Sequence, residues 1–498
     1  MDYRLRYGDS ELPLSQSTTF YGVKLHGLLA GSELPPWVPH DEHYGNSVLG
    51  GYRVVRLPPG PAAADVVAQL QGDDRVAAAT HIYHTPNCPE PWVPTGELLL
   101  VLARDLPAEA AQEIRQRFGL EFRREGPLRG SVVAPEDVKI DTVDLCSKLQ
   151  RLDGVEVAEP DLAVRLQLHA AAAKLDSFLA AEWHLENVGT LGGSPIGMTK
   201  GADARVVAAW NKLGSKGDEG VLVAVLDDGF DLGHPDLAGK SLAAYDFSRR
   251  LPDVSPTAAD VHGTPCAGLA VAKVGGGMII GVAPGCTLMP LRIHADLSDK
   301  NVAEWFDYLV GEGAWVASCS WGSPCKYFPL STTKEDAITK AAKSGRGGKG
   351  CVICFSVGND NRDINDPPGG SVNGFANHPL VIAVAATTSL DTRATYSNFG
   401  STVSVAAPGG GGGGVTITTT DIQGTAGMDS GDYTPSFSGT SAACPIVAGV
   451  CALLLSQDPS LTAADVKKRL ENTAVKLHGT SGHSPYFGYG RVDAEKAL

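Results

Sequence analysis

The chain has 498 residues, 43% of them apolar, with a net charge of −15 at pH 7. At roughly 150 residues per domain there is room for about three domains with a large core, and global disorder is excluded. The acidic balance argues against a nucleic-acid partner, which needs clustered Lys and Arg.

The N-terminal stretch MDYRLRYGDSELPLSQS lacks a basic segment followed by an apolar one, so no secretory signal is expected. Residues 1–94 are first Pro- and Gly-containing. They then give a strand (GYRVVRLPP), a helix (AAADVVAQLQ) and a second strand (RVAAATHIYH). Residues 95–167 repeat that order more fully. GELLLVLA reads as a strand, PAEAAQEIRQRFG as a helix with Pro at its start, GSVVAP as a strand, TVDLCSKLQRL as a helix and VEVAEPDLAVRL as a strand. The pattern is β-α-β-β-α-β. At a constant offset of 79, Asp65, Leu70, Asp74, Val76 and Ala79 fall on Asp144, Leu149, Asp153, Val155 and Ala158, which points to a duplicated α+β unit; chance likeness of two helix–strand pieces is the plainer reading.

Residues 168–182 read as a linker with helical tendency. Over 183–498 the pattern changes to near-continuous apolar runs (GVLVAVLDD, CTLMPLRIH, AWVASCS, GCVICFSV, PLVIAVAAT) separated by helical segments. Such alternation predicts an α/β domain whose parallel sheet is covered by helices on both faces. The glycines at 409–414 read as a flexible surface loop. The apolar stretch 442–455 is too short to span a bilayer. The ten cysteines form no dense framework, and Cys351 and Cys354 read as a buried strand pair rather than a redox or zinc motif. With no signal seen, this favours a reducing, cytoplasmic location, without a membrane partner and as a monomer.

Three signatures in this region carry chemistry. In VAVLDDGFDLGHPDL, Asp227 ends an apolar strand, where α/β folds place functional groups. In VHGTPCAGLAVA, His262 precedes a helix and can keep one ring nitrogen free to accept a proton. In FSGTSAACPIVAGVCALLL, Ser441 stands at the mouth of an apolar helix whose dipole and backbone N–H groups favour developing negative charge. A fourth piece, FSVGNDN, sets Asn359 just past a buried strand, where an amide can donate to an oxyanion. Taken singly, each has a plainer role: a turn former, a core histidine, an N-cap, a turn. Together, in the order Asp, His, Ser, they are specific.

These segments resemble the subtilisin–kexin family of serine peptidases over 183–498. The resemblance implies a serine endopeptidase with Asp227, His262 and Ser441 as triad and Asn359 in the oxyanion hole, acting on protein or peptide substrates without a cofactor for the chemistry. Asp228, and SCSWG at 318–322, lean toward the kexin branch. By resemblance, Ser320, Trp321 and Gly322 line the S1 side and bind substrate as an added β-strand. The kexin acidic residues after that strand are missing, since Ser323-Pro324-Cys325-Lys326 follows, so dibasic specificity is not expected. Asp296 and Asp299 leave room for a mild basic preference further from the scissile bond. No P domain is expected, because the sequence stops at Leu498. Residues 96–166 resemble the inhibitory propeptide, an intramolecular inhibitor whose tail would be 168–175, and 1–94 read as a degenerate second copy. Structural calcium is implied at Asp236, with Asp203 as a second ligand.

Overall fold

A computed structural model describes residues 1–26, 34, 38, 48–60, 62–86, 88, 90–168, 182–190 and 197–498. The expected linker at 168–182 therefore lies almost wholly outside the described residues. The chain forms two compact units, one of residues 1–166, 295–304 and 323–337, the other of 167–294, 305–322 and 338–498.

In the second unit the apolar runs become a seven-stranded sheet. Its order is Tyr245–Asp246, Thr287–Arg292, Leu222–Asp227, Val316–Cys319, Val352–Ser356, Ile382–Thr387, Val405–Pro408. Every neighbouring pair is parallel. Successive strand side chains point to opposite faces, and both faces are covered. Ile382, Val384 and Ala386 share a core with helices Gly263–Val271 and Thr440–Gln457. The alternate residues Ala383 and Ala385 pack with Val357, Ile364, Ala376, Leu477 and Phe487. Burial on both faces is why these strands read as continuous apolar runs rather than alternating ones. Helix Thr440–Gln457 is buried along nearly its whole length, as a helix apolar all round must be.

The first unit holds two small sheets. One has the order Leu120–Glu125, Ser131–Pro135, Val93–Leu102, Val155–Ala163, with helices Ala108–Arg117 and Thr142–Leu149. Its core is Leu98, Leu100, Val133, Leu145, Leu149, Val155 and Ala158. The other runs Val48–Leu49, Tyr52–Arg56, Ser10–Leu25, Val76–His84, with helix Ala62–Gly72 preceding the last strand. Strands 52–56 and 76–84 begin 79 residues before strands 131–135 and 155–163 (131 − 52 and 155 − 76), the offset seen in the sequence. The first 25 residues, in which the sequence marks no element, form a hairpin of Asp2–Tyr7 with Ser10–Leu25.

Two carboxylates of strand Val155–Ala163 sit on helix starts. Glu159 accepts from the Thr332 amide (3.0 Å) and hydroxyl (2.8 Å), and Asp161 accepts from the Asp299 amide (2.7 Å). Thr332 and Asp299 open helices Thr332–Gly348 and Asp299–Gly311, whose first N–H groups lack partners within the helix and attract negative charge. Asp299 in turn pairs with the buried Lys334 and accepts from Ser331 Oγ at 2.6 Å. Cys88 and Cys325, both buried, form a disulfide within this unit, a pairing the sparse cysteine count did not announce.

Candidate active site

Strand Leu222–Asp227 delivers Asp227 at its carboxyl end. Asp227 Oδ1 accepts from His262 Nδ1 at 2.8 Å and from the Asp228 amide at 2.9 Å. His262 immediately precedes helix Gly263–Val271. The glycine after it is needed for the close approach: a Cβ at 263 would meet Gly229 O at 2.4 Å and Asp227 Cβ at 3.0 Å. With Nδ1–H committed to Asp227, Nε2 is the nitrogen left to accept a proton. It is buried and has no hydrogen-bond partner among the described residues.

Ser441 is the second residue of helix Thr440–Gln457. Its hydroxyl donates to the Ser320 carbonyl at 3.2 Å rather than to His262. The Asp–His pair is thus at bonding distance, whereas the serine side chain is turned toward 318–322. The backbone around it is braced from several sides. Pro445 has no N–H to give to the Ser441 carbonyl four residues back. Ser320 Oγ (3.2 Å) and Cys266 Sγ (3.7 Å) donate to that carbonyl instead. Asn359 Oδ1 accepts from the Thr440 amide (3.0 Å) and hydroxyl (2.9 Å). Fixing the amide oxygen there makes the NH2 group the opposite end of the side chain, the end that can donate to an oxyanion.

Residues 409–414, expected as a flexible surface loop, are different in kind. Gly409 is buried, donates to Thr387 O at 2.8 Å and accepts from the Gly439 amide at 2.9 Å. A Cβ at 409 would meet Ala386 Cβ at 2.5 Å. This glycine holds the turn that leads into Ser441, a role that low complexity hides.

Of the expected substrate strand, Trp321 and Gly322 pair antiparallel with Leu168 and Gln167, so their backbone does take an added strand. The Trp321 ring is not a pocket wall, however. It packs among Trp305, Phe355 and Phe375 at centroid distances of 4.9 to 5.5 Å. Asp299, thought of as a reader of basic side chains, is already paired with Lys334.

The profile of the subtilase family matches residues 218–490. The chain belongs to the subtilase family. It is a serine endopeptidase of the subtilisin type. It is 33% identical over 464 residues to the calcium-dependent protease of Nostoc sp., covering 86% of this chain and 67% of that one. It is 34% identical over 283 residues to thermitase of Thermoactinomyces vulgaris, covering 56% and 88%. Among solved structures it is similar to fervidolysin from Fervidobacterium pennivorans, a keratinolytic enzyme related to subtilisin. The TM-score is 0.61 at 26% identity, over 82% of this chain and 61% of that chain.

In this subtilase a second carboxylate serves the histidine. Asp228 accepts from the amides of His262 (3.1 Å) and Gly263 (2.7 Å), capping the helix that His262 opens. Burial, then the charge of Asp227, pushes Asp228 up to about 7. At His262 burial opposes the charged form. The charge and hydrogen bond of Asp227, followed by the charge of Asp228, outweigh it and hold the imidazole above its ordinary value.

Of the two carboxylates expected at a calcium site, Asp203 accepts one backbone N–H on each oxygen, from Asn187 and Arg205, each at 2.7 Å. Asp236 Oδ1 is buried without a partner. Gly276 and Gly277 come so near that a Cβ on either would meet this oxygen within 2.9 Å. Glu182, which sequence reasoning missed, accepts from the Ile280 amide at 2.7 Å. Burial, opposed by that bond and reinforced by the Asp236 charge, pushes Glu182 up to about 7. Carboxylate oxygens such as these are the donor type that a hard cation takes.

Asp228→Asn keeps an oxygen to cap the two amides but removes a charge that favours imidazolium. Since His262 must be neutral to accept a proton, the acid limb of the kcat/KM–pH profile should move to lower pH. An acid limb that stays put or moves up would show that Asp228 does not act on His262.

Proposed function

We propose that Ser441 attacks the scissile carbonyl and forms an acyl-enzyme, and that the N-terminal half is the intramolecular inhibitor of this reaction. The observation that carries the first part is the 2.8 Å Asp227–His262 bond, which leaves Nε2 without a hydrogen-bond partner among the described residues, in a chain that sets Ser441 in the first turn of a helix. Ser441 Oγ leaves the Ser320 carbonyl, gives its proton to His262 Nε2 and attacks. Asp227 holds the imidazole tautomer and stabilises the imidazolium. The oxyanion is received by the Asn359 NH2 and the Ser441 N–H, assisted by the positive end of helix Thr440–Gln457. His262 then protonates the leaving amine, and a water molecule repeats the sequence on the ester. No step needs a cofactor.

Substrates are extended polypeptides added as a strand along Trp321–Gly322. No preference for paired basic residues follows, since the residues after that strand are Ser323-Pro324-Cys325-Lys326 and Asp299 is neutralised by Lys334. The inhibitor reading is supported by the antiparallel pairing of Gln167–Leu168 with Trp321–Gly322, which puts the chain's own segment on the substrate edge. Residues 96–166 would be the inhibitor fold and 1–94 its diverged copy, as the shared offset of 79 suggests. A cut is expected within 168–175, of which 169–175 lie outside the described residues.

Ser441→Ala should remain one chain on a reducing gel, where the active enzyme gives two fragments, and should hydrolyse no peptide. Asn359→Ala should lose roughly 10² to 10³ in kcat. Residual turnover near the wild-type rate in Ser441→Ala would end this assignment.

Asp236 and Glu182 are further proposed to hold a structural calcium ion, as the name of the Nostoc relative suggests for that protein; the ion would tie residues 275–280 to the segment that carries Asp236. Added Ca²⁺ should then raise the melting temperature by several degrees through binding to the folded state only, and Asp236→Asn should abolish the rise. A calcium response unchanged in that variant would place the ion elsewhere.

A further inference from the structure

Cys88 and Cys325 are bonded, 237 residues apart in sequence. Cys88 precedes the proposed cut, and Cys325 follows it, only three residues beyond Gly322 of the substrate strand. Both are buried, at 6% and 1% exposure, and the neighbouring Trp92 and Phe328 rings lie 5.3 Å apart. A cut anywhere in 168–175 therefore divides the polypeptide without separating its parts. We propose that the processed protein is a two-chain enzyme whose inhibitory fragment stays covalently attached through Cys88–Cys325, and that a dithiol reductant is the signal that frees it. This rests on the reading of residues 1–166 as an inhibitor that is cut from the peptidase.

The chemistry is an ordinary exchange. One thiolate of the dithiol attacks a sulfur of the Cys88–Cys325 bond and gives a mixed disulfide. Its second thiol resolves that intermediate, leaving two protein thiols and an oxidised, cyclic dithiol, with two electrons and two protons transferred. The eight remaining cysteines are all buried and form no disulfide, and burial pushes the thiols of Cys146, Cys266 and Cys319 up. They are poor internal attackers, so the bond waits for an external reductant. While it lasts, re-binding of the fragment is intramolecular and insensitive to dilution. Once it is reduced, the fragment is held only by contacts such as those of Glu159 and Asp161 with the helix starts, and dilution can remove it.

The tether is tested apart from self-processing. In the full chain carrying Ser441→Ala and a recognition sequence for an added site-specific protease inserted between 169 and 181, cutting should give one band without reductant and two with dithiothreitol. Two bands without reductant would overturn the tether. Self-cutting is read independently, from the wild-type chain on a reducing gel, where a single uncut band would count against the inhibitor reading instead. In the wild type at nanomolar concentration, dithiothreitol should raise peptide hydrolysis by on the order of 10²-fold. The Cys88→Ser/Cys325→Ser variant should start high and not respond. If the wild type gains nothing from dithiothreitol, release by reduction is wrong even if the bond is present.

Discussion

A carboxylate buried at the end of a buried strand is costly unless its charge and lone pairs are met. Asp227, fully buried, meets part of that cost at Oδ1, through the His262 Nδ1 bond and the Asp228 amide, while its Oδ2 is buried with no hydrogen-bond partner among the described residues. Much of the second unit can be understood from that requirement. The central position of strand Leu222–Asp227 keeps water away. The glycine at 263 lets the imidazole come close. Asp228 caps the helix that carries the histidine. The hydrogen bond that helps make the buried charge tolerable is the one that leaves Nε2 as the nitrogen free to accept a proton.

Helix starts do related electrostatic work at three other places. Thr440, which opens the nucleophile helix, is fixed by Asn359 through both its amide and its hydroxyl. Asp299 and Thr332 open two helices whose first amides are taken by Asp161 and Glu159. In the first case the first amide is held by a neutral side-chain oxygen. In the other two it is held by a carboxylate of the N-terminal region. Lys334 offsets the accumulated charge there: burial, then Asp299, pushes Asp161 up to about 7, and Lys334 works against them.

Local chemistry was legible in the sequence and long-range pairing was not. The apolar runs predicted the parallel sheet because strands buried on both faces cannot alternate. The motifs around Asp227, His262, Ser441 and Asn359 fold as short strand–turn–helix pieces, so their residues carry their own context. The offset of 79 showed the repeated helix–strand order because those spacings are local too. By contrast, Cys88–Cys325 and Glu182 beside the Asp236 loop join segments far apart in sequence, with no local signal. The two backbone amides that Asp203 holds are likewise revealed by no side-chain pattern. The glycines at 409–414 were misread for a similar reason. Composition cannot tell a mobile loop from one in which a backbone must pass within contact of Ala386 and Gly439. The rotation of Ser441 toward Ser320 is likewise a matter of one side-chain torsion.

Activation of Ser441 by the Asp227–His262 pair can be read from covalent labelling of the processed, reduced enzyme with a fluorophosphonate, followed by peptide mapping. One adduct is expected, on Ser441, forming fast at pH 8 and slowly at pH 5, where His262 is protonated. An adduct on another serine, or labelling of Ser441 at the same rate at both pH values, would contradict it.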